Sequence, residues 1–435
     1  MREEESLLER LFKLKEHGTD VRTEVIAGIT TFMTMAYILF VNPDILSATG
    51  MPFGAVMTAT ALSAGITTIL AGLMANYPYA LASGMGLNAF FAFVVAAEAG
   101  WEKALGVVFL SGVIFLILAV TGAINVLDAA MPQTLKRAVG VGIGLFITLI
   151  GLINAGIIQG DPATLITRGN FADKGTALAL IGLLITAVLV AKGVKGSILL
   201  GILITTVIGI PMGVTQISGS IIGKPASLAP IALKMDIKGA LSLGFMTIFS
   251  FWFVDVFDTV GTLMGTASRA GMLDENGQLP KIKQMMTVDA IGTCLGAALG
   301  TSTVTTYVES SAGIAEGGRT GLTAVVVGVL FLVSLIFAPL AGMIPSQATA
   351  PALIIVGVLM MGSVQYIDWF DFSEAFPAFI TIVMMPFAYS ISDGISAGFI
   401  SYVAVKLLAG KAKEIHWLVY ILAAISVIHL VPGLF

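Results

Sequence analysis

The stretch GTSTVTTYVESSAGIAEGG, residues 300–318, decides how the rest of the chain is to be read. After Gly300 it runs through Thr, Ser, Val and Tyr as far as Val308, a β-branched composition that suits an extended strand better than a helix. A second stretch, YPYALASGMGLNAFFAF at 77–93, opens with Pro78 and carries Gly84 and Gly86 where a continuous helix would want neither. Both stretches sit among long apolar runs. Extended backbone at membrane depth is tolerated only where it pairs with protein or lines a cavity, so the two strands are expected to pair with each other. A matching pair of short, interrupted segments is also the sequence pointer to a binding site in a transporter.

Working outward, the 435 residues are 57% hydrophobic and 11% charged, whereas a soluble domain carries about 25% charged residues. Most of the chain therefore faces lipid. At about 20 apolar residues per crossing plus a turn, the length accommodates on the order of 14 crossings. Apolar segments are read at 24–41, 54–75, 78–97, 105–123, 137–157, 175–192 and 196–214, followed by a polar break at 215–240. The pattern resumes at 241–266, 285–300, 302–316, 320–343, 346–363, 374–390 and 393–409, with an extra apolar stretch from His416 to Phe435. The expected fold class is an all-α polytopic membrane protein of 14 transmembrane segments. Seven per half is odd, so the halves run in opposite orientation as a 7+7 inverted repeat. The short, broken strand–helix segments are third and tenth, at equivalent places in the two halves.

Charge placement gives the orientation. With a cytoplasmic N-terminus, the outward loops hold only Lys103, Arg168, Lys174, Lys224, Lys234 and Lys238, and the rest of the 22 Lys and Arg fall inward. The first 20 residues are charged and lack the apolar core of a cleavable signal peptide, so the first helix is expected to insert the protein itself. A single cysteine, Cys294, allows no internal disulfide and reads as a small packing residue. No zinc spacing and no Walker-type glycine loop is present, so no metal, cofactor or ATP coupling is expected. The three histidines lie outside the broken segments and segment eight, which argues against a histidine proton relay.

Acids inside the membrane carry the most information, since inserting Asp at a helix centre costs about 2.5 to 3.5 kcal/mol. Asp258 lies near the middle of segment eight, and Glu309 follows the strand of segment ten; neither segment holds a Lys, Arg or His in its interior. At least one of them is expected to contact substrate or proton, the alternative being an interhelical hydrogen bond. Asp255, one turn before Asp258, is expected to support it from behind, because only Asp258 is followed by Thr259, Gly261 and Thr262, which open space around it. Asp289 and Glu24 read as helix-dipole partners at the start of segments nine and one, and Glu316, Glu374 and Asp393 as solvated or capping. Asn88 is equally an N-cap and a ligand with both donor and acceptor atoms. Tyr307 reads either as an interface-belt aromatic or as a ring on which a planar solute stacks, its place inside the strand favouring the second.

Four motifs, TTFMTMAYILFVNP (30–43), GMGLNAFF (84–91), DVFDTVGTL (255–263) and TTYVESSAGI (305–314), resemble the signatures of the Azg-like purine permeases, the hypoxanthine, guanine and adenine branch related to the nucleobase and ascorbate transporters. The resemblance covers nearly the whole chain. It implies a core domain, 24–123 with 241–343, working against a gate domain, 124–214 with 344–409. Outside these lie a cytoplasmic tail at 1–23, an extracytoplasmic loop at 215–240 and a C-terminal apolar segment at 410–435. It also implies that the family's two substrate carboxylates fall on Asp258 and Glu309, its segment-three polar residue on Asn88 with Gly86 before it, and its strand aromatic on Tyr307. The uracil-transporting relatives use a histidine one turn after the segment-eight acid; here that position is Thr262, which shifts the coupled proton to a carboxylate.

The resulting expectation is a secondary active transporter of the cytoplasmic membrane taking up adenine, guanine or hypoxanthine by proton symport. Asp258, Glu309, Asn88, Gly86, Tyr307 and Ser310 would contact the base, Glu309 and Asp258 would carry the proton, and Asp255, Thr259 and Thr262 would support them. Sodium is the less favoured coupling ion. The lipid bilayer is the only large partner expected, nucleic acid is not one, and a homodimer is compatible with the sequence. The alternative is an anion transporter or channel of the same fold, of the sulfate or bicarbonate type, or a uracil or xanthine permease.

Overall fold

Apolar run length and polar punctuation place most helices where the sequence puts them. The computed structural model describes residues 7–124, 130–217, 220–275 and 278–431; the first six residues of the expected tail and the last four of the C-terminal stretch lie outside the described residues. The chain begins with α1 (Leu7–Phe12), α2 (Val21–Met35), α3 (Ile38–Ser47), α4 (Phe53–Ala75), β1 (Leu81–Ser83) and α5 (Met85–Ala99). Next come α6 (Trp101–Thr121), α7 (Gln133–Asn154), β2 (Ile158–Asp161), β3 (Leu165–Arg168), α8 (Lys174–Ala191) and α9 (Ser197–Met212). After the polar break follow α10 (Ile237–Leu241), α11 (Phe245–Ala270), α12 (Ile282–Leu299), β4 (Val304–Thr306) and α13 (Ser310–Ala315). The chain continues through α14 (Gly321–Ala341), α15 (Ser346–Tyr366), α16 (Phe372–Phe387), α17 (Ile391–Leu408) and α18 (Trp417–Leu430). Among the described residues, nine helical spans are long and apolar enough to cross a membrane, α2 and α3 together forming one, and α5, α9, α16 and α18 are shorter apolar helices. The molecule is a mostly helical, multi-pass membrane protein with short strands.

Side-chain caps fix several helix starts: Asp20 accepts from the Thr23 N–H, Asp173 from Gly175 and Thr176, and Asp371 from Ser373. The β2–β3 hairpin between α7 and α8 is a feature the hydropathy pattern does not show, because it is short and mostly exposed. Asp161 closes its turn, and the backbone N–H groups of Thr164 and Ala163 that it accepts hold its carboxyl below the usual range.

β1 and β4 pair antiparallel, as expected, with Leu81 opposite Thr306, Ala82 opposite Thr305 and Ser83 opposite Val304. Gly84 N–H to Thr303 O (3.3 Å) and Tyr307 N–H to Ala80 O (2.9 Å) extend the ladder at both ends. All six strand residues are buried, so the pairing satisfies backbone groups that lipid could not. Because the strands run in opposite directions, α5 and α13 leave the pair from opposite ends.

In lipid, helices are held chiefly by close van der Waals approach at small residues. α4 packs on α14, α12 and α3, and at the α4–α14 crossing a Cβ on Gly321 would lie 1.9 Å from the Gly72 carbonyl oxygen. α7 packs on α15 and α16, and a Cβ on Gly357 would lie 2.5 Å from the Gly144 oxygen. At the end of the chain α18 packs on α17 and α11. His429 and Asp393 meet at 2.9 Å at one end of α17, while Lys406, near its other end, pairs with Glu374 at 2.6 Å and Glu414 at 2.5 Å. The expectation of merely solvated or capping acids is thereby corrected for Glu374 and Asp393, and also for Glu316, which pairs with Lys195. Each has a cationic or imidazole partner from a distant part of the chain.

Candidate functional site

Strand β4 is held in place by two carboxylates from the helices behind it. Asp289 on α12 accepts from the Thr306 N–H (2.9 Å), the Thr306 hydroxyl (2.9 Å) and the Thr259 hydroxyl (2.7 Å). Asp255 on α11 accepts from the Thr293 hydroxyl at 2.8 Å, and Thr293 Oγ1 in turn accepts from the Val304 N–H at 3.2 Å. Thr305 Oγ1 lies 2.9 Å from Thr259 Oγ1. Every residue of β4 is thus tied to α11 or α12. Asp289 is fully buried and lies two turns inside α12, which starts at Ile282; its reading as a first-turn dipole partner is corrected. The hydropathy pattern starts that helix at 285 because Lys283 and Gln284 interrupt its first turn. Glu24 does stand in the first turn of α2, but its carboxylate serves another helix, accepting from the N–H groups of Arg319, Thr320 and Thr323 and from the Thr323 hydroxyl at 2.6 Å.

In front of the strands the arrangement changes. Asp258, though in the middle of a helix, is exposed and has no hydrogen bond or ion pair among the described residues. Its accessible surface continues along one face of α11 through Gly261, Gly265 and Ser268, and nothing lies within 4 Å of a Cβ built on Gly261 or Gly265. The space before Asp258 therefore opens toward the C-terminal end of α11. The other half of α11 is sealed: Phe249, Phe251, Trp252 and Phe253 are buried. Phe249 stacks on Phe253, Phe251 meets Phe90 of α5, and Phe399 of α17 stands edge-on to Phe253 at 5.9 Å.

Glu309 is half-buried at the start of α13, and its Oε1 accepts from the Tyr37 hydroxyl at 2.6 Å. Asn88 is not an N-cap: Gly84 caps α5, and the Asn88 N–H already donates to the Gly84 oxygen within the helix. Its side chain is fully buried, and both amide atoms lack a partner among the described residues. Such a group costs about 1 to 3 kcal/mol unless something outside the chain satisfies it. Tyr307 is buried and donates its hydroxyl to the Ser83 carbonyl, so its ring is anchored to β1. Ser310 is buried and accepts from the Ala80 N–H at 3.0 Å, securing the strand entry. Gly86 is a close-packing position, where a Cβ would meet Ile143 of α7 at 2.3 Å. Thr259 is buried against Asp289, and Thr262 is half-exposed beside the open face.

The groups left without a partner among the described residues are thus Asp258, the second oxygen of Glu309 and the buried Asn88 amide. Together they offer carboxylate acceptors for N–H groups and one amide that both donates and accepts. Sequence reasoning missed Tyr37, which lies in the joint between α2 and α3, and Asn42, whose amide donates to Thr60, Ser83 and Thr301. The only sequence signal for either was its place in the 30–43 motif.

Comparison with known proteins places this arrangement among permeases. Residues 22–397 match the model described as "Permease family". The chain is 45% identical over 430 residues to an adenine permease of Escherichia coli K12, covering 98% of this chain and 96% of the relative. It is 44% identical over 440 residues to a guanine/hypoxanthine permease of Bacillus subtilis, covering 98% and 99%. Its fold is similar to the transmembrane domain of a cyanobacterial bicarbonate transporter, with a TM-score of 0.65 at 18% identity over 87% of this chain and 97% of that one.

Proposed function

Since the chain belongs to the permease family, and is therefore a transporter rather than an enzyme, we propose that it takes up purine nucleobases across the cytoplasmic membrane in symport with protons. The observation that carries the reading is Asn88, a fully buried amide with no partner at either atom among the described residues, on a helix that packs against the helix of Asp258. A purine base is flat and neutral, with N–H donors beside ring-nitrogen or carbonyl acceptors on its edges. A carboxylate and an amide satisfy that pattern. Two acids without cationic partners repel an anion, which sets aside an anion-carrying reading.

The space before Asp258 opens at one end of α11 and is sealed by aromatic rings at the other, the geometry of one state of an alternating-access cycle. Positive-inside placement of Lys and Arg makes the open side cytoplasmic, with the N-terminus on that side. Fourteen segments in a 7+7 inverted repeat, with a core around the strand pair and a gate around α7 and α15, account for the opposed strands and the two packing groups. Proton coupling is assigned to Glu309 and Asp258, the accessible acids.

Purified protein in liposomes, loaded with an imposed pH gradient and offered radiolabelled adenine, guanine, hypoxanthine, xanthine and uracil, tests this. Accumulation of a purine that a protonophore abolishes is the expected result. Accumulation unaffected by the protonophore removes the proton, and absence of purine uptake removes the substrate assignment. Glu309→Gln is expected to retain some base binding and lose accumulation against the gradient.

A further inference from the structure

We infer that Tyr37 is a positioning residue for Glu309, fixing one carboxylate oxygen so that the other is presented to the base; this rests on the purine-transport reading above. Helix α2 ends at Met35 and α3 begins at Ile38, and Tyr37 occupies the joint with its side chain fully buried. Its hydroxyl donates to Glu309 Oε1 at 2.6 Å, the only side-chain hydrogen bond to that carboxylate among the described residues. A charge-assisted bond of this length fixes orientation as well as energy. The backbone on both sides is held too: α13 packs on α2, and Thr34 Oγ1 lies 3.5 Å from the Glu309 carbonyl oxygen.

The geometry separates two tasks. Asp258 is exposed with no internal partner and the buried Asn88 amide has none either, among the described residues, so nothing in the described chain orients these two side chains. Glu309 differs, because its Oε1 is already engaged and Oε2 is the oxygen with no partner among the described residues to accept a purine N–H. A carboxylate free to rotate would lose that preorganisation and bind the same edge more weakly. The joint between α2 and α3 is what allows the hydroxyl to reach, since it interrupts the helix where Tyr37 faces α13.

Tyr37→Phe removes the hydroxyl and keeps the buried ring. Expected are a thermal midpoint lowered modestly by the lost internal hydrogen bond, an unchanged maximal uptake rate, and a KM and calorimetric Kd for the transported purine raised about 10-fold, the cost of ordering a freed side chain on binding. The infrared carboxyl band that disappears in Glu309→Gln should also shift in Tyr37→Phe, a signature that ring packing alone does not produce. An unmoved band with wild-type affinity overturns the inference, as does a fall in maximal rate at unchanged KM. If Tyr37→Phe does not assemble, 3-fluorotyrosine at position 37 keeps ring and hydroxyl but strengthens the donor, and the same band must move. Wild-type protein that takes up no purine would instead count against the transport reading, whatever Tyr37→Phe does to the band.

Discussion

At Asn88, stability and binding should part company. The amide is buried without a partner, so Asn88→Ala removes an unsatisfied polar group and should leave the thermal midpoint unchanged or raise it. The same change should weaken purine binding about 10-fold or more, read by calorimetry on the purified variant. A parallel loss of both would mean that the amide serves the fold instead. The two acids of α11 offer a second contrast one turn apart. Asp258→Asn, at an accessible position with no internal partner, should reach the membrane normally and lose most uptake, since an amide gives up one acceptor oxygen and cannot titrate. Asp255→Asn keeps an oxygen for the Thr293 hydroxyl and should lose less. Equal losses at matched membrane levels would reverse the assignment.

The strand pair is the element through which these residues are aligned, and Asp289 is where it can be loosened selectively. Asp289→Ala leaves the Thr306 N–H, the Thr306 hydroxyl and the Thr259 hydroxyl without their acceptor; at about 1 to 3 kcal/mol for each stranded buried group, the variant should show a markedly lower thermal midpoint. Asp289→Asn, which retains one acceptor, should fall between it and wild type. The strands themselves were legible because β-branched residues crowd 301–308 and because Pro78, Gly84 and Gly86 interrupt a helix pattern; no other conformation suits both stretches at membrane depth. Asp258 and Glu309 stood out through the cost of placing an acid in lipid. Asp289 and Tyr37 did not. Lys283 and Gln284 hide the true start of α12, which lies two turns before Asp289, and a tyrosine among apolar residues gives no composition signal of its own. Their partners are Thr306 on a strand and Glu309 on another helix, contacts that periodicity along one element cannot show. The β2–β3 hairpin was hidden for a different reason: exposed strands of four residues carry no hydropathy pattern.

Over the whole molecule, the aromatic seal joins helices expected to move relative to each other, with Phe253 on α11 facing Phe399 on α17. In a protein with Cys294→Ser, cysteines at 253 and 399 bridged by a short bifunctional thiol reagent should stop uptake, while either single cysteine treated alike should not. Continued uptake by the bridged protein would mean that the seal stays shut throughout the cycle. The β1–β4 pairing has a consequence of another kind, for biosynthesis. Tyr307 is 224 residues from Ser83, the β1 residue that accepts its hydroxyl, and ribosomes add about 5 to 20 residues per second, so β1 leaves the ribosome roughly 11 to 45 s before its mate exists. Through that interval the edge of β1 has no strand to bond to, in a setting where each bare backbone group costs several kcal/mol. The nascent first half must wait with that segment shielded by the insertion machinery, by neighbouring helices or by water.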